Sequence, residues 1–245
     1  MKYISLPTSE PRRLSFYLAM EEFVARHLLS EDVGLPIEQS DAFFMWQVEP
    51  SVIFGRNQVL ENEVNVPYCR EHGIRLYRRK SGGGCVYADM DNLMLSYVTA
   101  EDNVNFAFNR FVNMILLVLR RLGIEATGTS HNDVMIGDRK VCGTACYHLE
   151  GRSIVHSTML YDTNMEHMLN AITPSHEKLQ KKGIESVRQR ITLLKNFTTL
   201  DGVEALKAFI RETLCVGEYQ LTEADVAEVE SIEKTYLKEE FINLL

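Results

Sequence analysis

The sequence predicts an α+β fold with mixed, mainly antiparallel sheets flanked by helices. Three observations predict it. Short β-type runs are joined by tight turns at Gly137-Asp138 and Glu150-Gly151; helical apolar spacing is confined to a few segments; and no internal repeat, low-complexity tract or long linker divides the chain. Residues 1–245 therefore read as a single domain.

The elements follow in order. After the break at Pro11, Leu14, Tyr17, Leu18, Phe23, Val24 and Leu28 recur at helical spacing, which predicts an amphipathic helix over Leu14–Leu29 that also carries Glu21 and Glu22. Gly34 and Pro36 make Ser30–Asp41 a loop. Ala42–Val48 and Ser51–Phe54 are β-type runs split by Glu49-Pro50, and read as a hairpin. Pro67–His72 is a short helix stopped by Gly73, and Ile74–Tyr77 a strand. Leu93–Val98 is another strand. Val104–Leu122 is a strong amphipathic helix, capped by Asp102 or Asn103 and stopped by Gly123, with Phe106, Phe111, Met114, Ile115, Val118 and Leu122 on its core face. Val134–Ile136 and Arg139–His148 form a second hairpin, and Ser153–Leu160 returns beside it. Pro174–Arg190 is polar and rich in Lys and Arg, and reads as a flap or connection. Helices over Gly202–Leu214 and Glu223–Tyr236 close the chain, the latter with the Thr222/Asp225 capping-box pattern.

At 45% hydrophobic and 24% charged the composition is that of an ordinary globular protein. A net charge of -8 argues against general nucleic-acid affinity, which needs a basic footprint. Five cysteines without a C-x-x-C pair indicate neither a disulfide framework nor a zinc ribbon and suit a reducing cytoplasm. The N-terminus has no apolar leader, and no stretch approaches a membrane span.

One stretch carries chemistry on its face. Arg78-Arg79-Lys80 runs into Ser81-Gly82-Gly83-Gly84 and then Cys85-Val86-Tyr87. Glycines leave amides uncovered and permit φ > 0, so such a loop can wrap an anion that neighbouring cations neutralise. The spacing is neither a Walker loop nor a dinucleotide fingerprint. A plain glycine-rich turn would give the same letters. A second cluster lies on the later hairpin, where Lys140, Cys142, Thr144, Cys146 and His148 share parity and a regular strand would point them to one face. His148, His156 and Cys146 lack a fourth ligand or a metal-ligand spacing and read as strand residues. Asp89 reads as a structural partner of the loop arginines.

Three segments in this order and spacing, Arg78–Asn92, His131–Ala145 and Lys182–Arg188, resemble the lipoate-protein ligase A family. Leu18–Glu22, Phe54–Gln58 and His156–Leu160 match as well, so the resemblance covers nearly the whole chain. It implies the biotin/lipoyl ligase fold, similar to class II aminoacyl-tRNA synthetases, and a two-step reaction. Lipoate and ATP would give lipoyl-AMP and pyrophosphate with Mg²⁺; the lipoyl group would then pass to a lysine of a lipoyl carrier domain. Such carriers belong to 2-oxoacid dehydrogenase complexes and the glycine-cleavage system. By the same resemblance Lys140 and Arg79 are central to catalysis, and Arg79, Gly84, Cys85, Val86, Tyr87 and Lys140 contact ATP or the adenylate. Lys140 and Ser81 would meet lipoate, Asn132 and Asp133 would orient Lys140 or Mg²⁺, and Ser175–Arg190 would be the adenylate-binding flap. Many members carry a further small C-terminal accessory domain, and the resemblance leads to the expectation of a chain without it, the domain being encoded separately or unnecessary. Related acyltransferases hold the acyl group on a cysteine, but neither Cys142 nor Cys146 lies where they place it, and all five cysteines read as small buried residues lining strands.

Overall fold

The computed structural model describes residues 1–29, 41–129, 133–173 and 191–243. A large sheet of eight strands carries helices on both faces, and a small sheet of three strands packs beside it. The strands are β1 (Lys2–Ser5), β2 (Asp41–Trp46), β3 (Ser51–Phe54), β4 (Arg75–Arg78), β5 (Val86–Ala88), β6 (Asn92–Thr99), β7 (Thr127–Gly128), β8 (Asp133–Ile136), β9 (Arg139–Leu149), β10 (Arg152–Leu160) and β11 (Gly217–Gln220). The helices are α1 (Leu14–Phe23), α2 (Leu60–Glu63), α3 (Val66–Glu71), α4 (Val104–Arg121), α5 (Met165–Ala171), α6 (Gly202–Leu214), α7 (Glu223–Tyr236) and α8 (Glu239–Asn243). The large sheet runs β11-β1-β2-β6-β10-β9-β8-β7 and the small one β4-β3-β5.

Alternation along the strands divides the core. Phe44, Trp46, Met94, Val98 and Ile154 face α1 and α7, while Phe43, Met45, Leu95, Tyr97 and Val155 face α4 and α6. A third cluster, with Val52, Tyr87, Cys69 and Met168, lies between the small sheet and α3 and α5. No helix among the described residues is long and apolar enough to cross a membrane.

The antiparallel centre of the large sheet follows the sequence reading, as do α3, α4, α6 and α7. Thr222 and Asp225 form the reciprocal capping box at α7. Four expectations are corrected. First, β2 and β3 are not a hairpin: β2 pairs with β1 and β6, whereas β3 pairs in parallel with β4 and antiparallel with β5. Every residue of both strands is buried, so neither has a solvent face, and the chain changes layers between them. Second, α1 is not amphipathic. All ten of its residues are buried, Glu21 and Glu22 included, because the large sheet covers one side and α7 another; Val24–Leu28 continues it as a π turn. Third, Phe106 is 65% exposed. The buried stripe of α4 is Ala107, Phe111, Ile115, Val118 and Leu119, and Phe106 stands about 140° round the helix from Phe111. Fourth, Asp89 does not meet the arginines. Its carboxylate accepts from the amides of Asp91 and Asn164 and from Thr163 Oγ1, tying the β5–β6 turn to the start of α5.

Candidate active site

A cleft of about 650 Å³ opens between the large sheet and the glycine loop. Its apolar part is lined by Leu18, Trp46, Ile53, Val86 and Met94, its polar part by Gly83, Gly84, Asp133, Lys140 and His156. Trp46 lies on β2 and Asp133 on β8, four strands away in the sheet order. At about 4.8 Å per strand the floor is roughly 19 Å wide, enough for an apolar chain at one end and an anion at the other.

Lys140 reaches the cleft through a defect. Val134 pairs with Cys142 but Met135 with Lys140, so Val141 is the extra residue of a β-bulge. The bulge overturns the shared-parity expectation: Cys142 and Cys146 belong to the core under α4, while the Lys140 side chain lies over Gly143 on the cleft face. A Cβ at Gly143 would sit 2.5 Å from both Lys140 Cε and Nζ. Lys140 Nζ is 2.7 Å from Asp133 Oδ1. Asn132 and the segment 174–190 lie outside the described residues. Gly143→Ala is expected to push the ammonium aside without unfolding the sheet, since only the flexible end of a side chain must move. Turnover in the cleft should fall about tenfold with an unchanged melting temperature, checked by a kinetic assay beside a thermal melt.

The three cations before the glycines are turned inward. Arg78 donates to the carbonyls of Gly55, Arg56, Gln58 and Ile242 and lies over the Phe54 ring. Lys80 pairs with Glu22 at 2.6 Å and lies over Tyr236, which itself donates to Glu22. Arg79, 4% exposed, donates from Nε to Ser81 Oγ, from Nη1 to Ile53 O, and from Nη2 to Gly82 O and Gly84 O, the last two at 2.7 Å. Burial lowers its pKa to about 10, so it keeps its charge at neutral pH, and it lines the cleft beside Gly83 and Gly84.

That clamp shapes the loop. In a planar trans peptide the C=O of one residue and the N–H of the next point in opposite directions. Holding the Gly82 and Gly84 carbonyls toward Arg79 therefore turns the Gly83 and Cys85 amides away from it. Gly83 sits at φ 91°, a backbone region that favours glycine. Gly84, Cys85 and Val86 line the cleft. Tyr87 does not; it is buried under the small sheet. Ser81, 1% exposed, does not reach the cleft either, and its hydroxyl lies 2.7 Å from His156 Nε2.

His156, read from the sequence as a strand residue, lines the cleft, and Glu21 is buried behind it. His156 Nδ1 is 2.9 Å from Glu21 Oε2, and Ser96 Oγ donates to Glu21 Oε1 at 2.6 Å. The signal for Glu21 was present, since two carboxylates inside an otherwise apolar helix need buried partners. His148 instead pairs with Asp102 near the surface, and among the described residues no three His, Cys, Asp or Glu side chains gather as a metal cluster.

Residues 14–214 match the Lipoyl protein ligase A/B catalytic domain. The chain belongs to that family. It is 35% identical to lipoate-protein ligase LplJ of Bacillus subtilis over 89% of this chain and 66% of the relative, and 35% identical to lipoate-protein ligase 1 of Staphylococcus aureus over 95% and 70%. It thus spans about two thirds of the length of these curated relatives. Among solved structures, the bi-partite lipoate protein ligase of Thermoplasma acidophilum, described with its E2 lipoyl domain, superposes with a TM-score of 0.81 at 28% identity, covering 100% of this chain and 96% of that one. A lipoate-protein ligase A crystallised with ATP gives a TM-score of 0.81 at 24% identity and full coverage of both chains, a likeness of fold. The fold is that of the lipoyl ligases, as the family resemblance implied.

Proposed function

We propose that this chain activates lipoate with ATP, giving lipoyl-AMP and pyrophosphate, and transfers the lipoyl group to a lysine of a lipoyl carrier domain. The observation that carries this reading is the single cleft in which an apolar floor meets an amide-lined loop with the Lys140 ammonium at the junction. In the first step a lipoate carboxylate oxygen bonds the α-phosphorus and the bond to the pyrophosphate oxygen breaks. Two anions must approach, and preorganised positive groups offset their repulsion. Lys140 bridges carboxylate and α-phosphate, the loop amides donate to phosphate oxygens, and the charge of Arg79 in the cleft lining adds to the field. Mg²⁺ neutralises triphosphate charge when bound; it needs only one or two protein carboxylates, and Asp133 in the cleft wall fits that part. In the second step the carrier amine attacks the acyl carbon and AMP leaves.

No enzyme nucleophile is required. Burial pushes the Cys85 thiol up to about 12 and those of Cys142 and Cys146 up to about 11, so at pH 7 the thiolate is roughly one part in 10⁴ or less. Cys85→Ala, Cys142→Ala and Cys146→Ala are each expected to keep transfer within about threefold of the parent, measured by carrier mass; loss of transfer in any of them would install a thioester route.

The carriers are those of 2-oxoacid dehydrogenase complexes and the glycine-cleavage system. The archaeal ligase described with its E2 lipoyl domain supports a lipoyl carrier domain as the acceptor. Five free thiols suit a cytoplasmic setting. The test is pyrophosphate release by the purified chain with Mg-ATP and lipoate, then addition of a carrier domain whose mass should rise by one lipoyl group. Transfer solely from supplied lipoyl-AMP would place activation in a separate protein; neither product in either arm would end this reading.

A further inference from the structure

A run of buried polar groups is continuous behind the cleft wall, reaching the cleft lining at Trp46, His156 and Arg79. Trp46 Nε1 donates to Ser96 Oγ at 2.9 Å, Ser96 to Glu21 Oε1 at 2.6 Å, and His156 Nδ1 lies 2.9 Å from Glu21 Oε2. His156 Nε2 and Ser81 Oγ are 2.7 Å apart, and Ser81 accepts from Arg79 Nε at 2.9 Å. A carboxylate only accepts, so Nδ1 carries a proton; with the ring neutral, Ser81 donates to Nε2 while accepting from Arg79. Every donor then has an acceptor in a place where an unpaired one is costly. Ser81, His156 and Glu21 come from the loop, β10 and α1, so three elements converge on one guanidinium.

We propose that Ser81 is a positioning residue: through His156 and Glu21 it fixes the rotation of the Arg79 guanidinium, which in turn aims the Gly83 and Cys85 amides at the nucleotide phosphates. This rests on the nucleotide-binding reading of the cleft. The guanidinium is a planar fork whose Nε, Nη1 and Nη2 directions are rigidly related. Anchoring Nε on Ser81 therefore sets where Nη2 meets the Gly82 and Gly84 carbonyls, and those carbonyls set the amides that follow them. Ser81 can act this way without touching substrate, because it is 1% exposed and lies outside the cleft lining. His156 does line the cleft, so its replacement would mix two effects, and the test is better placed on its neighbours.

The experiment titrates the full chain with α,β-methylene-ATP, which cannot give up its adenylyl group, and separately with lipoate, in the parent, Ser81→Ala, Glu21→Gln and the double variant. Ser81→Ala should weaken the nucleotide about 10-fold to 30-fold and lipoate by less than about threefold. Glu21→Gln, matched in shape to the buried carboxylate, should shift in the same direction and carries the test if Ser81→Ala does not fold. The double variant should be little worse than the weaker single one, because both break one chain of contacts. The sole tryptophan, Trp46, should keep its emission in Ser81→Ala, since its own half of the chain is untouched. Parental nucleotide affinity in Ser81→Ala, equal loss of both ligands, or additive losses would each overturn the positioning role. A parent that binds no nucleotide would overturn the functional reading as well, which separates the two failures.

Discussion

Lys140→Ala is expected to lower lipoate-dependent pyrophosphate release by about 10²-fold to 10³-fold, the effect of removing one preorganised group from a charged transition state. The ammonium reaches the cleft only because the β9 bulge turns it there, and it rests on Asp133 at 2.7 Å over the bare surface of Gly143. The ammonium pairs with Asp133 in the cleft wall, whereas Arg78, Arg79 and Lys80 are held by carbonyls or by Glu22 and Ser81. Lys140→Arg should not restore the rate. Its wider planar group replaces a compact point charge and cannot bridge carboxylate and phosphate from the slot that Gly143 leaves. Transfer from supplied lipoyl-AMP should fall less, because the anhydride is already activated. Single-turnover assays on the two steps check this, and a rate above about a tenth of the parent in Lys140→Ala would remove Lys140 from the first step.

Why the site was only partly legible in the sequence follows from its parts. The glycine loop and Lys140 announce themselves, since three adjacent glycines and a lysine after a turn are local features. The alternation that should have placed Lys140 failed because one extra residue, Val141, reverses its parity, and a bulge leaves no local signature. Glu21 and His156 are 135 residues apart, so their pairing is a product of topology. Likewise α4, α6 and α7 follow from periodicity and caps, whereas β1 pairs in parallel with both β2 and β11 through contacts that no short window holds. The hairpin read at Glu49-Pro50 failed for a related reason: a turn signal shows that the chain bends, not which sheet receives the next strand.

Gly55→Ala should have the largest effect on stability, from a residue outside the cleft lining. A Cβ there would lie 2.3 Å from the Gly83 carbonyl oxygen and 3.3 Å from Gly82 C, and both contacts are backbone. Neither side has freedom to yield. The Gly55 carbonyl accepts from Arg78 at 3.2 Å and its amide donates to Gln58 Oε1 at 2.8 Å, while Arg79 holds the carbonyls on either side of Gly83. Relieving the clash must break one arginine clamp or the other. The expected cost is about 3 kcal/mol, or roughly a 6–12 °C lower melting temperature for a chain of this size. Nucleotide affinity should fall with it, because the displaced Gly83 peptide is among those that present amides. Gly84→Ala is the internal control: a Cβ there meets nothing within 4 Å and the residue has no positive φ, so its melting temperature should match the parent. Equal melting temperatures for the two variants would show that the loop is not pinned between the arginines. A drop confined to Gly55→Ala would make the contact between the end of β3 and the glycine loop the point at which fold and site depend on each other.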